Sequence, residues 1–280
     1  MAEARKKDLW SSKEYQNAAS FVPKLATKIV QWFDPQPDDN ILDIGCGDGV
    51  LTLELARQVS RVHGLDNSPS MIQTAEKSAI QAGHSTATFE VVDCATDLLP
   101  WSRSSGHQVS FKKAFSNAAM HWILRSPSSH VPFFTGVKNC LVPNGTFAFE
   151  MGGLGNVSEM RAALLMAAGR RVGLRKAKEV DPWFFPDEEW VVDMMEKKVG
   201  GWRVERVERE WRPTTADQGG VEGWIRLMGR QFFEVLEDET EKEACIKEVV
   251  EVLETVCAKP QGGWMLSYVR LRVLATKTGQ

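Results

Sequence analysis

The stretch "ILDIGCGDGV", from Ile41 to Val50, places glycines at every second position directly after a short apolar run. The run has the length and composition of a buried strand, and "GVLTLELARQV" continues it with apolar residues at helical spacing. Glycines have no Cβ, and the first N–H groups of a helix are unpaired, so a ligand can lie against this main chain. The stretch therefore predicts a strand, a tight turn and a helix that together bind a ligand.

The composition narrows the class of protein. Of the 280 residues, 43% are hydrophobic and 25% are charged, and the formal net charge is −3. A substantial core is expected, without a general attraction for nucleic acid or anionic membrane. Five cysteines without tight spacing indicate neither a disulfide framework nor a zinc site, and favour a reducing compartment. Without a signal-like or bilayer-length apolar stretch, we expect a cytoplasmic protein with no metal; its oligomeric state is not indicated.

Short strands and amphipathic helices alternate as far as Met151, which predicts an α/β fold with a doubly wound parallel sheet. Beyond Met151, "WRVERVEREWRP" is predicted as a polar strand and "MLSYVRLRVLATK" as a final strand. Between them, "VEGWIRLMGRQFFEVL" is predicted as one helix with an apolar face from Val221 to Val235, and "EKEACIKEVVEVLETVC" as a second whose face includes Val256. This helix pair predicts a cap inserted beside the sheet.

The order of polar groups around the glycines indicates the kind of ligand. A dinucleotide fingerprint has the pattern G-x-G-x-x-G, whereas Gly45, Gly47 and Gly49 place the third glycine one residue early. Asp43 would repel a pyrophosphate but suits a ligand that carries an ammonium and a sulfonium. No Lys followed by Ser or Thr is present, which excludes a P-loop. We therefore favour the amino-acid part of S-adenosylmethionine, with Asp43, Gly45, Cys46 and Gly47 as its contacts.

The ends of the second and third strands supply further candidate contacts. Asp66, followed by Asn67, comes about twenty residues after the first glycine, where an acid commonly binds ribose hydroxyls. Nicotinamide enzymes share that feature. Asp93 could accept the exocyclic amine of adenine, and the Cys94 N–H could bind a ring nitrogen. Met71 is placed to lie against the adenine, although core packing explains a helical Met equally well.

Taken together, "ILDIGCGDG", "GLDNS", "VVDCATDL" and "AFSNAAMHW" resemble the class I S-adenosylmethionine-dependent methyltransferases over the first half of the chain. That resemblance implies a seven-stranded Rossmann-like sheet with one reversed strand, and S-adenosyl-L-homocysteine as the product. "DLWSSKEY", "SNAAMHWI" and "GGVEGWIRLMGRQFF" resemble the trans-aconitate methyltransferase-like group, which methylates carboxylates of small molecules. In that group an arginine precedes the proline of the first helix. Here Val22 precedes Pro23, so the capture point for an acid is missing or moved.

The resemblance also implies a division of the chain. We expect one domain over 1–280, with an N-terminal lid helix in 1–37, the cofactor-binding half in 38–151, and the cap and last strands in 152–280. Trp10 and Tyr15 either anchor the amino end or close over the cofactor as part of the lid. Asn117, after the fourth strand, either caps a turn or holds the methionyl portion.

The acceptor site is harder to place. His121 beside Trp122 is either a structural pair or the point where the acceptor meets the methyl group, with His121 as a catalytic base for a hydroxyl or an amine. Arg125 either replaces the absent arginine or is a solvated charge. Further candidates lie in the cap, although most cap aromatics are expected to be core: Trp183, Trp224, Arg226 and Met228.

The sequence thus predicts a methyltransferase for a small-molecule acceptor, with no nucleic-acid or membrane partner. A carboxylate acceptor is already ionised and requires no base, which favours carboxylate O-methylation. Nitrogen, sulfur or carbon acceptors would share every cofactor feature. A nicotinamide-dependent oxidoreductase and a non-catalytic cofactor-binding protein are the alternatives of another class.

Overall fold

Seven strands form one sheet in the computed structural model, which describes residues 26–279 apart from 105, 107 and 218. Trp10 and Tyr15 lie outside the described residues. The strands are β1 (Asn40–Ile44), β2 (Arg61–Asp66), β3 (Ala87–Val91), β4 (Phe111–Asn117), β5 (Leu141–Gly152), β6 (Trp202–Thr215) and β7 (Met265–Lys277).

Helices connect these strands. Those of the first half are α1 (Thr27–Phe33), α2 (Val50–Ala56), α3 (Pro69–Gln81), α4 (Leu98–Ser102), α5 (Met120–Ile123) and α6 (His130–Cys140). Those of the second half are α7 (Ser158–Val172), α8 (Leu174–Val180), α9 (Glu188–Val192, continued by a π-helical segment Asp193–Val199), α10 (Gly220–Met228), α11 (Arg230–Phe233) and α12 (Glu239–Val256). Within the described part of the chain no helix combines the length and the apolar character needed to cross a bilayer.

The strand order is β3-β2-β1-β4-β5-β7-β6, and β7 runs antiparallel to both of its neighbours. β1 to β5 are parallel, so their carboxyl ends meet at one edge of the sheet. This arrangement confirms the predicted α/β, doubly wound, seven-stranded sheet with one reversed strand. The switch of direction along the sheet lies between β1 and β4, the place where open α/β sheets bind their ligands.

The sheet is covered on both faces because its central strands are apolar on both sides. Phe147 and Phe149 of β5 point to the face covered by α6, whereas Ala148 points to the opposite face, with Phe115 of β4 and Phe33 of α1. Burial on both faces fixes the register of the strands, because a shift of one residue would exchange the two sets of side chains.

The cap is a separate hydrophobic cluster that draws on more of the chain than predicted. Besides α10 to α12, which lie between β6 and β7 as expected, it includes α7 and α8, which follow β5. Tyr268 of β7 belongs to this cluster, and its hydroxyl accepts a hydrogen bond of 2.6 Å from the indole N–H of Trp224. The cap is therefore bound to the sheet through the reversed strand.

Two details of the predicted cap helices are wrong. The first helix ends at Met228 and a short second helix begins at Arg230, so the buried side chains after the break are Phe232, Phe233 and Leu236, not Val235. Gly229 lies at this break, where the chain crosses α7 closely. In α12, Val256 is 62% exposed, because the buried face of the helix runs through Val249, Leu253 and Cys257 and does not include it.

Two glycines of the α10 region make a matched pair for testing this close crossing. A Cβ at Gly229 would lie 2.8 Å from the Ile225 carbonyl oxygen and 2.9 Å from Cδ2 of Leu164, whereas a Cβ at Gly223 meets no atom within 4 Å. We expect Gly229→Ala to lower the free energy of unfolding by about 1–3 kcal/mol. Gly223→Ala should raise it by about 0.5–1 kcal/mol, because alanine favours the helix. Urea unfolding of both variants measures the difference between their free energies of unfolding. Equal changes in the two variants would contradict the close packing of Gly229 against α7.

Candidate active site

The glycine turn after β1 is held by β2. The N–H groups of Gly45 and Cys46 both donate to the Leu65 carbonyl oxygen, at 2.7 and 3.0 Å. Gly45 has a φ of 75°, and a Cβ there would lie 2.1 Å from Cβ of Ala119. Only glycine fits at this position, because both the backbone conformation and the neighbouring chain exclude a side chain.

Gly47 has a different role from Gly45. Its φ is 55°, and a Cβ there would meet no atom within 4 Å, so its backbone faces open space. The Gly47 N–H donates to Oδ2 of Asp66 at 3.0 Å, and Oδ1 of Asp66 accepts from the Ser68 N–H at 2.9 Å. The turn thus presents bare main chain beside an oriented carboxylate, an arrangement that suits a ligand with hydroxyl donors.

Asp43 is a buried acid at the end of β1. Its Oδ2 accepts a hydrogen bond of 2.6 Å from the Thr52 hydroxyl of α2. Burial raises the pKa of Asp43 to about 7, and the nearby Asp66 charge adds to this rise while the Thr52 hydrogen bond opposes it. A cationic ligand group beside Asp43 would favour the ionised carboxylate. The site is thus chemically matched to an ammonium or a sulfonium.

The ends of β3 and β4 contribute further polar groups. Oδ1 of Asp93 accepts from the Ala95 N–H at 3.0 Å, which directs the carboxylate over its own loop. Burial raises the pKa of the Cys46 and Cys94 thiols, so both are protonated at neutral pH. At the end of β4, the buried Oδ1 of Asn117 has no hydrogen-bond partner among the described residues. A buried oxygen without a donor is costly, and a ligand N–H would satisfy it.

One cleft of about 2240 Å³ brings these groups together at the carboxyl ends of the strands. Every predicted cofactor contact within the described residues lines it: Asp43, Gly45, Cys46, Gly47, Asp66, Asn67, Met71, Asp93, Cys94 and Asn117. The described residues contain no group of three or more His, Cys, Asp or Glu that could hold a metal ion. The residues present fit an S-adenosylmethionine molecule through main-chain donors, carboxylates and one unpaired amide oxygen.

The predicted acceptor residues divide into two sets. Trp122, Arg125 and Arg226 line the cleft. Trp183, Trp224 and Met228 are instead buried in the cap cluster and do not line the cleft. Their burial has a physical cause in side-chain packing, because the Trp183 ring lies 5.9–6.0 Å from the rings of Phe185, Trp224 and Phe232.

The arginines of the cleft differ in how far their charge is neutralised. Arg226 donates to Glu222 at 2.8 Å and to both oxygens of Glu243 at 2.7 and 2.9 Å, and these carboxylates raise its pKa. Arg125 donates to the amide oxygen of Gln231 at 3.2 Å and to the carbonyl oxygen of Glu179. Since both partners of Arg125 are neutral, its positive charge remains available to an anion in the cleft.

The structure does not place His121, which the sequence suggested as one possible base, among the residues that line the cleft. It is buried behind the cleft wall, where Nδ1 lies 3.4 Å from the donating Gly152 N–H and the ring packs against Trp122 and Phe185. Burial, with a smaller effect of the Arg270 charge, lowers the pKa of His121 to about 3. A neutral imidazole with so low a pKa is a weak proton acceptor.

Sequence reasoning missed a buried ionic cluster on β5, β6 and β7. Glu150, Arg270 and Arg272 are each 2% exposed. The signal was present in "YVRLRVL", where arginines occupy alternate positions of an apolar strand and therefore share one face. Charged residues are rarely buried in this way without a structural or functional reason.

Comparisons with known proteins agree with this geometry. Residues 35–169 match a family model described as a methyltransferase domain. An uncharacterised methyltransferase of Schizosaccharomyces pombe is 38% identical over 275 residues, which cover 96% of this chain and 98% of that protein.

Solved structures are similar in fold. YcgJ of Bacillus subtilis has a TM-score of 0.61 at 13% identity and covers 91% of this chain and 98% of its own. A SAM-dependent methyltransferase of Methanosarcina mazei has a TM-score of 0.53 at 18% identity, and the match covers 90% of this chain and 98% of that protein. A phosphoethanolamine N-methyltransferase of Haemonchus contortus, solved with S-adenosylhomocysteine, has a TM-score of 0.52 at 17% identity. The match covers 92% of this chain and 53% of that protein.

The exposed main chain of Gly47 leads to a first test. In Gly47→Ala the added methyl group would project into the cleft, and we expect S-adenosylhomocysteine to bind at least about tenfold more weakly, the effect of about 1.4 kcal/mol. Gly83→Ala is the control, because Gly83 also has a positive φ (69°) and open space around its Cβ but lies at the end of α3, outside the cleft lining. Calorimetric titration measures both, and equal affinities in the two variants would contradict the placement of the ligand.

The pKa of Asp43 leads to a second test. A ligand ammonium binds the ionised carboxylate, and below pH 7 Asp43 must first release a proton. We expect the affinity for S-adenosylhomocysteine to be constant above about pH 7 and to fall by up to about tenfold per unit below it. The dissociation constant measured from pH 5.5 to 8.5 checks this. Asp43→Asn should bind weakly with no such slope, and a slope that persists in Asp43→Asn would contradict the assignment.

Proposed function

The chain belongs to the family of S-adenosylmethionine-dependent methyltransferases, and from that premise we propose that it methylates a carboxylate of a small organic acid. In this proposal residues 38–151 hold the cofactor and supply Arg125 to the acceptor, and residues 152–280 supply the cap beside the cleft. The finer group that the sequence resembles, the trans-aconitate methyltransferase-like enzymes, has the same class of acceptor.

The observation that carries the proposal is the charge of Arg125 in the wall of the cleft. Its partners are the neutral Gln231 amide and Glu179 carbonyl, whereas the neighbouring Arg226 is neutralised by two glutamates. A guanidinium with spare N–H donors binds a carboxylate through paired hydrogen bonds. Arg125 thus supports an anionic acceptor.

The position and pKa of His121 support the same choice of acceptor. A hydroxyl or amine acceptor would have to lose a proton as it reacts, and His121 is buried away from the cleft with a pKa lowered to about 3. A carboxylate is ionised at neutral pH and reacts without a base.

The chain's own contribution to the reaction is then alignment. S-adenosylmethionine supplies a methyl group on a sulfonium, which an acceptor oxygen displaces in line. The Gly47 main chain, Asp66 and Asp93 would hold the cofactor, and Arg125 would hold the acid. Trp122, which also lines the cleft, would exclude water from the reacting groups. Holding both partners in line removes much of the entropic barrier of a bimolecular reaction.

Family membership removes the nicotinamide oxidoreductase from the alternatives, but nitrogen, sulfur and carbon acceptors share the cofactor site. Incubation with methyl-labelled S-adenosylmethionine and a panel of small acids, phenols, thiols and amines, trans-aconitate among them, distinguishes these acceptors. We expect label in the acids, released by mild base because methyl esters hydrolyse. Label that is stable to base would overturn carboxylate methylation.

Arg125→Gln tests the residue that carries the proposal. We expect KM for the acid that accepts the label to rise about 10- to 100-fold, the effect of losing one charged hydrogen bond. The affinity for S-adenosylhomocysteine should be unchanged. Arg226→Gln is the matched control, since its charge is already neutralised by Glu222 and Glu243. A KM for the acid that is no higher in Arg125→Gln than in Arg226→Gln would rule out Arg125 as the acid-binding residue.

A further inference from the structure

Four cations line the cleft, and three of them are paired with glutamates of the cap. The pairs are Arg226 with Glu243, Arg230 with Glu234, and Lys242 with Glu239. The fourth cation, Arg125, has no carboxylate partner among the described residues, since it donates to the Gln231 amide at 3.2 Å and to the Glu179 carbonyl oxygen. The described lining therefore offers an anion one positive charge that no acid compensates.

Carboxylates lie on both sides of the cleft around that single charge. On the cap side are the three paired glutamates, and on the cofactor side are five aspartates, Asp66 and Asp93 among them. An anion close to such acids is repelled unless a cation compensates it. An acceptor with one carboxylate can place it on Arg125, whereas a second carboxylate would find no further uncompensated cation in the described lining.

The two partners of Arg125 have apolar residues beside them. Val180 directly follows Glu179, and Phe233 lies two residues after Gln231. Both belong to the apolar part of the cap wall, which consists of Val180, Pro182, Leu227, Phe233, Val235 and Ile246. Val180, Leu227 and Val235 are only partly buried, so they present apolar surface to a ligand. The charge of Arg125 thus lies at the edge of an apolar wall.

Trp122 joins this wall to the cofactor side. It is partly buried, lines the cleft and lies three residues before Arg125, close to the end of β4 where Asn117 also lines the cleft. Its ring lies 5.8 Å from the ring of Trp183, and it packs against the cap cluster. A ligand held at Arg125 therefore has aromatic and aliphatic surface on the side of the cap.

We propose that the acceptor is a monocarboxylic acid with an apolar body. Its carboxylate binds Arg125, and its body lies against Val180, Leu227 and Phe233. The inference rests on the proposed function and adds a substrate class to it. A carboxylate oxygen forms the new bond to the methyl carbon while the carbon–sulfur bond breaks and its electron pair returns to sulfur. The products are a neutral ester and S-adenosylhomocysteine.

This substrate class follows from the balance of two energies. An apolar chain gains binding energy with every methylene that it buries, whereas a charge brought into the cleft without a partner costs energy of desolvation. A polycarboxylate such as trans-aconitate gains little from an apolar wall and is repelled by the acids beside it. For this chain it is therefore a poorer acceptor than an apolar acid.

The first test compares matched acids on the S-adenosylhomocysteine-loaded wild type by calorimetry. Hexanoate and octanoate differ in chain length, adipate and suberate carry a second carboxylate in place of the terminal methyl group, and octanamide has no charge. We expect octanoate to bind at least about fivefold more tightly than hexanoate, because each buried methylene contributes up to about fourfold. Suberate and octanamide should each bind at least about tenfold more weakly than octanoate.

Two substitutions separate the charge from the apolar wall. Gln231→Glu places a carboxylate on Arg125 and should weaken octanoate binding about 10- to 100-fold. Val180→Asn should reduce the preference for octanoate over hexanoate to about twofold or less, since less apolar surface is buried. Val252→Asn is the matched control, because Val252 is 51% exposed on α12 and outside the cleft lining. It should keep the preference of the wild type.

Several results would overturn the proposal. They are absence of acid binding to the wild type, equal affinities for hexanoate and octanoate, and tighter binding of suberate than of octanoate. A preference in Val180→Asn equal to that in Val252→Asn would also contradict the placement of the apolar body. The series of acids on the wild type decides the substrate class even if a variant does not fold.

These readouts are independent of the one for the proposed function, because binding is measured without methyl transfer. Base-stable label together with the expected preference for octanoate would overturn carboxylate methylation alone. Base-labile label found in polycarboxylates, with no preference for octanoate over hexanoate or suberate, would overturn the apolar acceptor alone.

Discussion

The carbonyl oxygen of Leu65 is the point on which the active site depends. Because it accepts the N–H groups of both Gly45 and Cys46, the chain leaves β1 in a turn that no side chain obstructs. That turn places the Gly47 N–H against Asp66 and packs Gly45 against Ala119 of the loop after β4. The ends of three strands are thereby fixed relative to one another before any ligand binds. Preorganisation of this kind reduces the ordering cost of binding.

The cofactor half could be predicted because its determinants are local. The alternation of strand and helix, the glycines at 45, 47 and 49, and the acids at the ends of strands each follow from a few neighbouring residues. Their positions at one edge then follow from the rules for parallel sheets. The sequence did not show that Gly45 and Gly47 have different structural roles. At position 45 any side chain would collide with Ala119, which is more than seventy residues away, so no local pattern reveals that glycine is required there. Gly47 instead faces open space.

The acceptor side resisted prediction because its chemistry depends on pairing between distant segments. Arg226 resembles an acid-binding residue in sequence, and only the packing of α10 against α12 shows that Glu243 neutralises it. Similarly, Trp183 and Trp224 are buried in the cap because they pack against other aromatic rings. Conversely, Arg270 and Arg272 share a strand and a face, yet differ in pairing because Glu150 is directed towards Arg272. Residue type indicated the candidates, and tertiary contacts decided among them.

The place of β7 has a consequence for how the chain assembles. β7 is the seventh strand in sequence but lies between β5 and β6, and it is hydrogen-bonded to both. During synthesis β5 therefore remains an open sheet edge, and β6 has no partner, until β7 has left the ribosome. Open edges of this kind invite pairing with other chains. The long-range contacts of β7 are also the slowest to form. Sheet closure, docking of the cap and completion of the Arg270 cluster thus coincide in one late step.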